Sequence, residues 1–194
     1  MDVSLDEAVT RVRITQHASK IIETDALLAS IGGDHSVSFP LIAAFERYSP
    51  LTIVLLDAHL DYRDRFLGLE YTNNSPVRRA SELGFVKRIV TIGARGIKST
   101  DLEYRESLSR GNLIVTADAV SDRGAAAIAA EIGDLGNYYV SLDIDGLDAS
   151  IAPGTESPEA DGLTFRQTKT LVRALGKQAN WDNVRYFSHI WSGL

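Results

Sequence analysis

The chain contains no cysteine, which excludes a disulfide framework and any zinc site built on thiolates, and fits a reducing compartment. It has no apolar run of the roughly 20 residues that a membrane helix needs. Charges run through its first 30 residues from Asp2 and Asp6 onward, so neither a secretory signal nor a span is placed there. Positive charge is in short supply. Twenty Lys plus Arg face 26 Asp plus Glu, giving a net charge of -6, which is no footprint for DNA, RNA or anionic lipid. Nucleic acid and membrane are therefore not expected partners, and the expected location is the cytoplasm. Internal repeats, low-complexity tracts and linkers are also missing, and 194 residues suffice for one domain, 1–194, with a substantial core.

What is present is an alternation. Apolar runs at 26–31, 51–57, 88–93, 112–117, 138–145 and 183–187 are continuous rather than period-two, as strands covered on both faces should be. Between them, 40–48, 75–84, 101–111, 122–133 and 164–176 read as helices, several of them closing on Gly. Strand and helix at this pitch predict βαβ units, hence an α/β fold of three layers, α/β/α, around a mostly parallel sheet. Two stretches, 58–75 and 146–163, are long irregular connections that each leave a strand ending in carboxylates. Ligands of open α/β sheets collect at the carboxyl ends of strands.

The first of those ends is "LLDAHLDYRD" (55–64). On an extended strand Asp57, His59 and Asp61 would share a face at about 6 to 7 Å per two residues. The second is "SLDIDGLDAS" (141–150), with Asp143 and Asp145 two apart. A calcium loop is excluded there, because Leu147 and Gly154 stand where its fifth and twelfth positions need oxygen ligands. The third is "SIGGDHSVSFP" (30–40), where Gly32 and Gly33 relieve a sharp strand exit, Ser36 or Ser38 caps the next helix, and His35 sits in the turn. Each segment alone is as well read as a polar turn. Together they offer two imidazoles and four carboxylates, whose charge balances two divalent cations. A mixed oxygen and imidazole set without thiolate suits Mn²⁺, with Zn²⁺, Fe²⁺ or Co²⁺ also compatible. Such a pair lowers the pKa of a water and aims it at an electrophilic carbon.

These blocks, "GGDHS" (32–36), "DAHLD" (57–61) and "SLDIDGLDASIAPGTESPE" (141–159), resemble the ureohydrolases, the family of arginase, agmatinase and formimidoylglutamase. The resemblance implies an arginase-like fold and hydrolysis of a linear guanidine or amidine, agmatine-like, by a hydroxide bridging two Mn²⁺ ions. It implies one ion on His35, Asp57, Asp61 and Asp143, and a second on Asp57, His59, Asp143 and Asp145. Asp61 and Asp143 would be the catalytic carboxylates, with Asp61 partnering the hydroxide proton. Homo-oligomers are also what the family suggests.

The chain departs from the pattern as well. A proton-shuttling His of the family falls at Asn73, and a substrate-binding Asn of arginases falls at Arg63, so both positions are candidate substrate contacts. The string "DAHLDYR" resembles formimidoylglutamases more closely, and the Arg63 guanidinium could pair with a substrate carboxylate. Its plain alternative is a solvated loop charge. Ser188 and Trp191 stand where the family's acids are expected, and the chain is short at both ends by that resemblance. A degenerate, non-catalytic metal-binding relative is the alternative reading of the whole.

Overall fold

The computed structural model describes residues 6–178 and 184–190 of the chain. Its strands are β1 (Leu28–Gly32), β2 (Leu51–Leu56), β3 (Val86–Ala94), β4 (Leu113–Thr116), β5 (Asn137–Asp143) and β6 (Val184–Ile190). All pair in parallel, in the order β1-β6-β5-β2-β3-β4. Each predicted apolar run overlaps one of them. The helices are α1 (Glu7–Ile22), α2 (Ser38–Ala43), α3 (Pro76–Ser81), α4 (Asp101–Ser109), α5 (Ala117–Arg123), α6 (Ala125–Ile132) and α7 (Phe165–Gln178).

β2 shows why the strands read as unbroken apolar runs. All six of its residues are buried, and alternate side chains of a strand face opposite sides. Leu51, Ile53 and Leu55 pack with Ile22 of α1, Leu41 and Ile42 of α2, and Val77 of α3. Val54 and Leu56 pack on the other side with Val120 of α5, Ile128 of α6, and Leu171 and Leu175 of α7. The sheet is therefore the middle of three layers, as predicted.

Helix ends follow local chemistry. Asp6 caps α1 by accepting from the amides of Ala8 and Val9, Thr100 and Glu103 form a capping box on α4, and Pro76 opens α3. Two differences from the predicted elements have clear causes. The single helix expected at 122–133 is two, because Thr116 caps a start at Ala117 and Gly124, at φ +85°, interrupts the helix. α1 was absent from the predicted helices because its buried face is narrow, with only Ala18 and Ile22 buried along it.

The chain runs outward from β2 through β3 to β4, and outward the other way from β5 to β6. β2 and β5 therefore flank the switch point where an open sheet forms its crevice. Leu56 pairs with Leu142, so the next residues, Asp57 and Asp143, emerge side by side. Leu55 is fully buried, and Leu55→Ala should destabilise the fold by about 2–5 kcal/mol, measured by urea melts of the two proteins. A loss under about 0.5 kcal/mol would contradict the central place given to β2.

Candidate metal centre

His35, Asp57, His59, Asp61, Asp143 and Asp145 all converge at the carboxyl ends of β1, β2 and β5, and all are buried, none more than 7% exposed. The route to convergence differs from the one the sequence suggested. β2 stops at Leu56, so Asp57, His59 and Asp61 are not alternate residues of an extended strand. The chain turns instead: Asp57 Oδ1 accepts from the His59 amide at 2.6 Å, and Asp61 adopts φ +46°, a left-handed conformation that non-glycine residues seldom take. Asp143 repeats the device, its Oδ1 accepting from the Asp145 amide at 3.2 Å at the head of a 3-10 turn, Ile144–Gly146. Each aspartate that leads its motif thus shapes the turn with one oxygen.

His35 is placed by a third turn. Asp34 caps it, accepting from the Ser36 amide at 2.8 Å, whereas α2, which Ser36 or Ser38 was expected to cap, has Val37 at its N-cap and no side-chain cap. Backbone also closes tightly on Asp57. A Cβ at Gly146 would lie 3.0 Å from the Asp57 nitrogen, and one at Gly93 would lie 3.1 Å from its carbonyl oxygen.

Within the cluster His35 Nδ1 lies 2.6 Å from Asp61 Oδ2, 3.2 Å from Asp57 Oδ2 and 3.4 Å from Asp143 Oδ2. Its Nε2 faces Ser141 Oγ at 3.3 Å. His59 Nδ1 lies 3.1 Å from Asp145 Oδ2. Two groups of ligand atoms lie close enough to hold an ion, each within 4.8 Å: His35, Asp57 and Asp143, and Asp57, His59 and Asp145. Asp57 is common to both. Asp143 falls in the first group and Asp145 in the second, while Asp61 stands at His35.

The charges are strained by this proximity. Burial, then Asp145, Asp143 and Asp61, push the Asp57 carboxyl well above the ordinary range. Burial first, with Asp145 and Asp61, pushes Asp143 up to about 7. Burial alone would lower the His35 imidazole, but Asp61 and Asp57 outweigh it and raise it well above its usual value. Burial would raise Asp145, yet the adjacent His59 brings it below. Asp57 Oδ2 and His59 Nε2 are buried with no hydrogen-bond partner, a state that costs about 1–3 kcal/mol or more per group. The unmatched Asp57 oxygen among these carboxylates, with no thiolate nearby, fits a divalent cation pair.

With this geometry in hand, a sequence profile described as the Arginase family matches residues 1–185. The chain belongs to the arginase family. Members of this family are metal-dependent hydrolases of amidino and guanidino compounds. The chain is 34% identical to the mitochondrial agmatinase of Gallus gallus over 168 residues, covering 83% of this chain and 49% of that one. It is 35% identical to the formimidoylglutamase of Halobacterium salinarum over 192 residues, covering 94% and 60%. The solved proclavaminate amidino hydrolase of Streptomyces clavuligerus superposes with a TM-score of 0.86 at 31% identity, covering 97% of this chain and 64% of that one. The chain spans about half the length of the agmatinase it matches.

The two candidate substrate residues have different side-chain partners. Asn73 lines a cavity of ≈ 470 Å³ together with Asp34 and Ser36, the neighbours of His35. Its Nδ2 donates to both oxygens of Glu156 at 3.2 and 3.1 Å, tying the 58–75 connection to the 146–163 connection. Arg63 is committed elsewhere, its Nε donating to Glu103 at 2.7 Å and its Nη2 to the Lys98 carbonyl at 3.0 Å. Ser188 falls on β6, whereas Trp191 lies outside the described residues.

Arg95 had no role in the sequence reading, although its place just after β3 puts it on the same rim. Its Nη2 donates to the carbonyls of Asp145, Leu147 and Glu159 at 2.8, 3.0 and 2.9 Å, and its Nε to that of Ala160 at 2.9 Å. One guanidinium thereby holds both ends of the 146–163 connection. Asp148 helps from within: hydrogen bonds from the Ser150 hydroxyl, then from the Gly162 and Ser150 amides, bring its carboxyl down to about 2. No helix among the described residues is long and apolar enough to cross a membrane.

A ligating carboxylate must first lose its proton. Because Asp143 sits near 7, the rise in melting temperature produced by Mn²⁺ should grow between about pH 6 and pH 8. A metal-induced shift that is flat across that window, followed by circular dichroism, would contradict this placement of Asp143.

Proposed function

We propose that this chain is a hydrolase of a linear guanidino or amidino compound, dependent on two Mn²⁺ per chain, in a single domain over 1–194. The observation that carries it is Asp57, buried and shared between two groups of potential ligand atoms. The ligands would be His35, Asp57, His59, Asp61, Asp143 and Asp145. Two divalent cations held there would supply the positive charge that brings the pKa of a water toward neutrality.

The chain's own groups handle the substrate and the protons. The cavity beside His35, lined by Arg11, Asn73 and Glu156 among others, receives the substrate tail. Water adds to the central amidine carbon, the bond from that carbon to the tail nitrogen breaks, and urea leaves with an amine. Asp61, whose left-handed backbone turns its carboxylate toward His35, takes the proton of the attacking water and returns it to the departing nitrogen. Asp143 faces the same imidazole and would help hold the cations that activate the attacking water. Asn73 takes no part in this transfer, because an amide does not titrate near neutral pH. Its work is to bridge the two connections through Glu156.

A formimidoylglutamase-like activity is the second reading, favoured by "DAHLDYR" and by similarity to the Halobacterium salinarum protein over 94% of this chain. One assay separates the two. With Mn²⁺, urea from agmatine or guanidinobutyrate supports the first, and formamide from formimidoylglutamate supports the second. In either case Asp57→Asn should cost more than the roughly 10–100-fold typical of residues that only support ligands. Metal-loaded, folded protein that turns over none of these substrates would overturn the proposal in favour of a non-catalytic metal-binding relative.

A further inference from the structure

His35 and His59 stand in equivalent places but are supported differently. Behind His35, Nε2 meets Ser141 Oγ. Behind His59, Nε2 is buried and unpartnered, while its Nδ1 faces Asp145 and, at 3.6 Å, Asp57 Oδ1. An imidazole that ligates through Nδ1 carries its proton on Nε2, and that N–H needs an acceptor. The nearest carboxylate oxygen on that side is Glu159 Oε1, 3.6 Å away, a few tenths of an ångström beyond hydrogen-bond range.

The surroundings are built to keep that carboxylate in place. Gly96, at φ +70°, has no side chain where Glu159 lies; a Cβ there would come within 2.4 Å of the carboxylate. The Glu159 carbonyl is gripped by Arg95, whose same Nη2 holds the carbonyl of Asp145. Arg95 therefore fixes the spacing between a candidate ligand and the acid behind its neighbour.

We propose that Glu159 is the positioning residue of His59: its carboxylate accepts the Nε2–H, which fixes the ring's tautomer and leaves Nδ1 free toward Asp57 and Asp145. This rests on the reading of the cluster as a cation site. Orientation of a ligating imidazole by a carboxylate behind it is a recurrent device, and its loss costs about 10–100-fold in metal affinity.

The test compares the wild-type chain with Glu159→Ala, Glu159→Asp and Glu159→Gln. Mn²⁺ uptake is measured by titration calorimetry. The His59 Nε2–H resonance is followed by ¹⁵N-edited NMR in the Zn²⁺-loaded protein. Glu159→Ala should weaken one of the two uptake events by roughly 10–100-fold and shift or broaden that resonance. Glu159→Asp, too short to reach, should do the same, while Glu159→Gln, still an acceptor, should recover most of the affinity. If Glu159→Ala fails to fold, the Asp and Gln pair gives the same comparison. Equal uptake by wild type, Asp and Ala variants with an unmoved Nε2–H overturns this inference alone. A wild-type chain that takes up no cation overturns the proposed function together with it.

Discussion

Four carboxylates confined with two imidazoles below the protein surface are the constraint on which the rest of this structure depends. Asp57, Asp61, Asp143 and Asp145 cannot all remain ionised in so small a volume without positive charge among them. Their closeness follows from the sheet. Parallel register between β2 and β5 delivers Asp57 and Asp143 as neighbours, and the switch point leaves the crevice above them open. Core packing on both faces of β2 then keeps that register, because a strand flanked by two apolar layers resists slipping.

Turns finish what the strands begin. Asp57 and Asp143 each commit one oxygen to the amide two residues on, so the same side chain shapes the backbone and faces the cluster. Arg95 closes the assembly by drawing the carbonyls of Asp145 and Glu159 onto one guanidinium. The candidate metal centre is thus supported by Arg95, just after β3, and by groups of the 146–163 connection.

Much of this was legible in the residues. Continuous apolar runs marked the strands, most plainly the central β2 and β5, which are buried along nearly their whole length, and the carboxylates that follow β2 and β5 marked the rim. The six ligand candidates could be named because three segments at strand ends, each readable alone as a polar turn, together offer two imidazoles and four carboxylates. Their actual geometry was not legible, since the left-handed turn at Asp61 has no glycine or asparagine to announce it. Arg95 and Glu159 were hidden for a different reason. Their work is done through backbone carbonyls and through a distance across the fold, neither of which leaves a local sequence pattern. Arg63 was legible only as either a substrate contact or a solvated loop charge, and its ties to Glu103 and the Lys98 carbonyl across the fold left no local pattern.

The central claim is that this carboxylate and imidazole cluster cages two neighbouring cations. Anomalous diffraction from crystals grown with Mn²⁺ addresses it directly. The account predicts two anomalous peaks about 3.5–4 Å apart, on either side of Asp57, with His35 beside one and His59 beside the other. A single peak, or none within coordinating distance of Asp57, would contradict it.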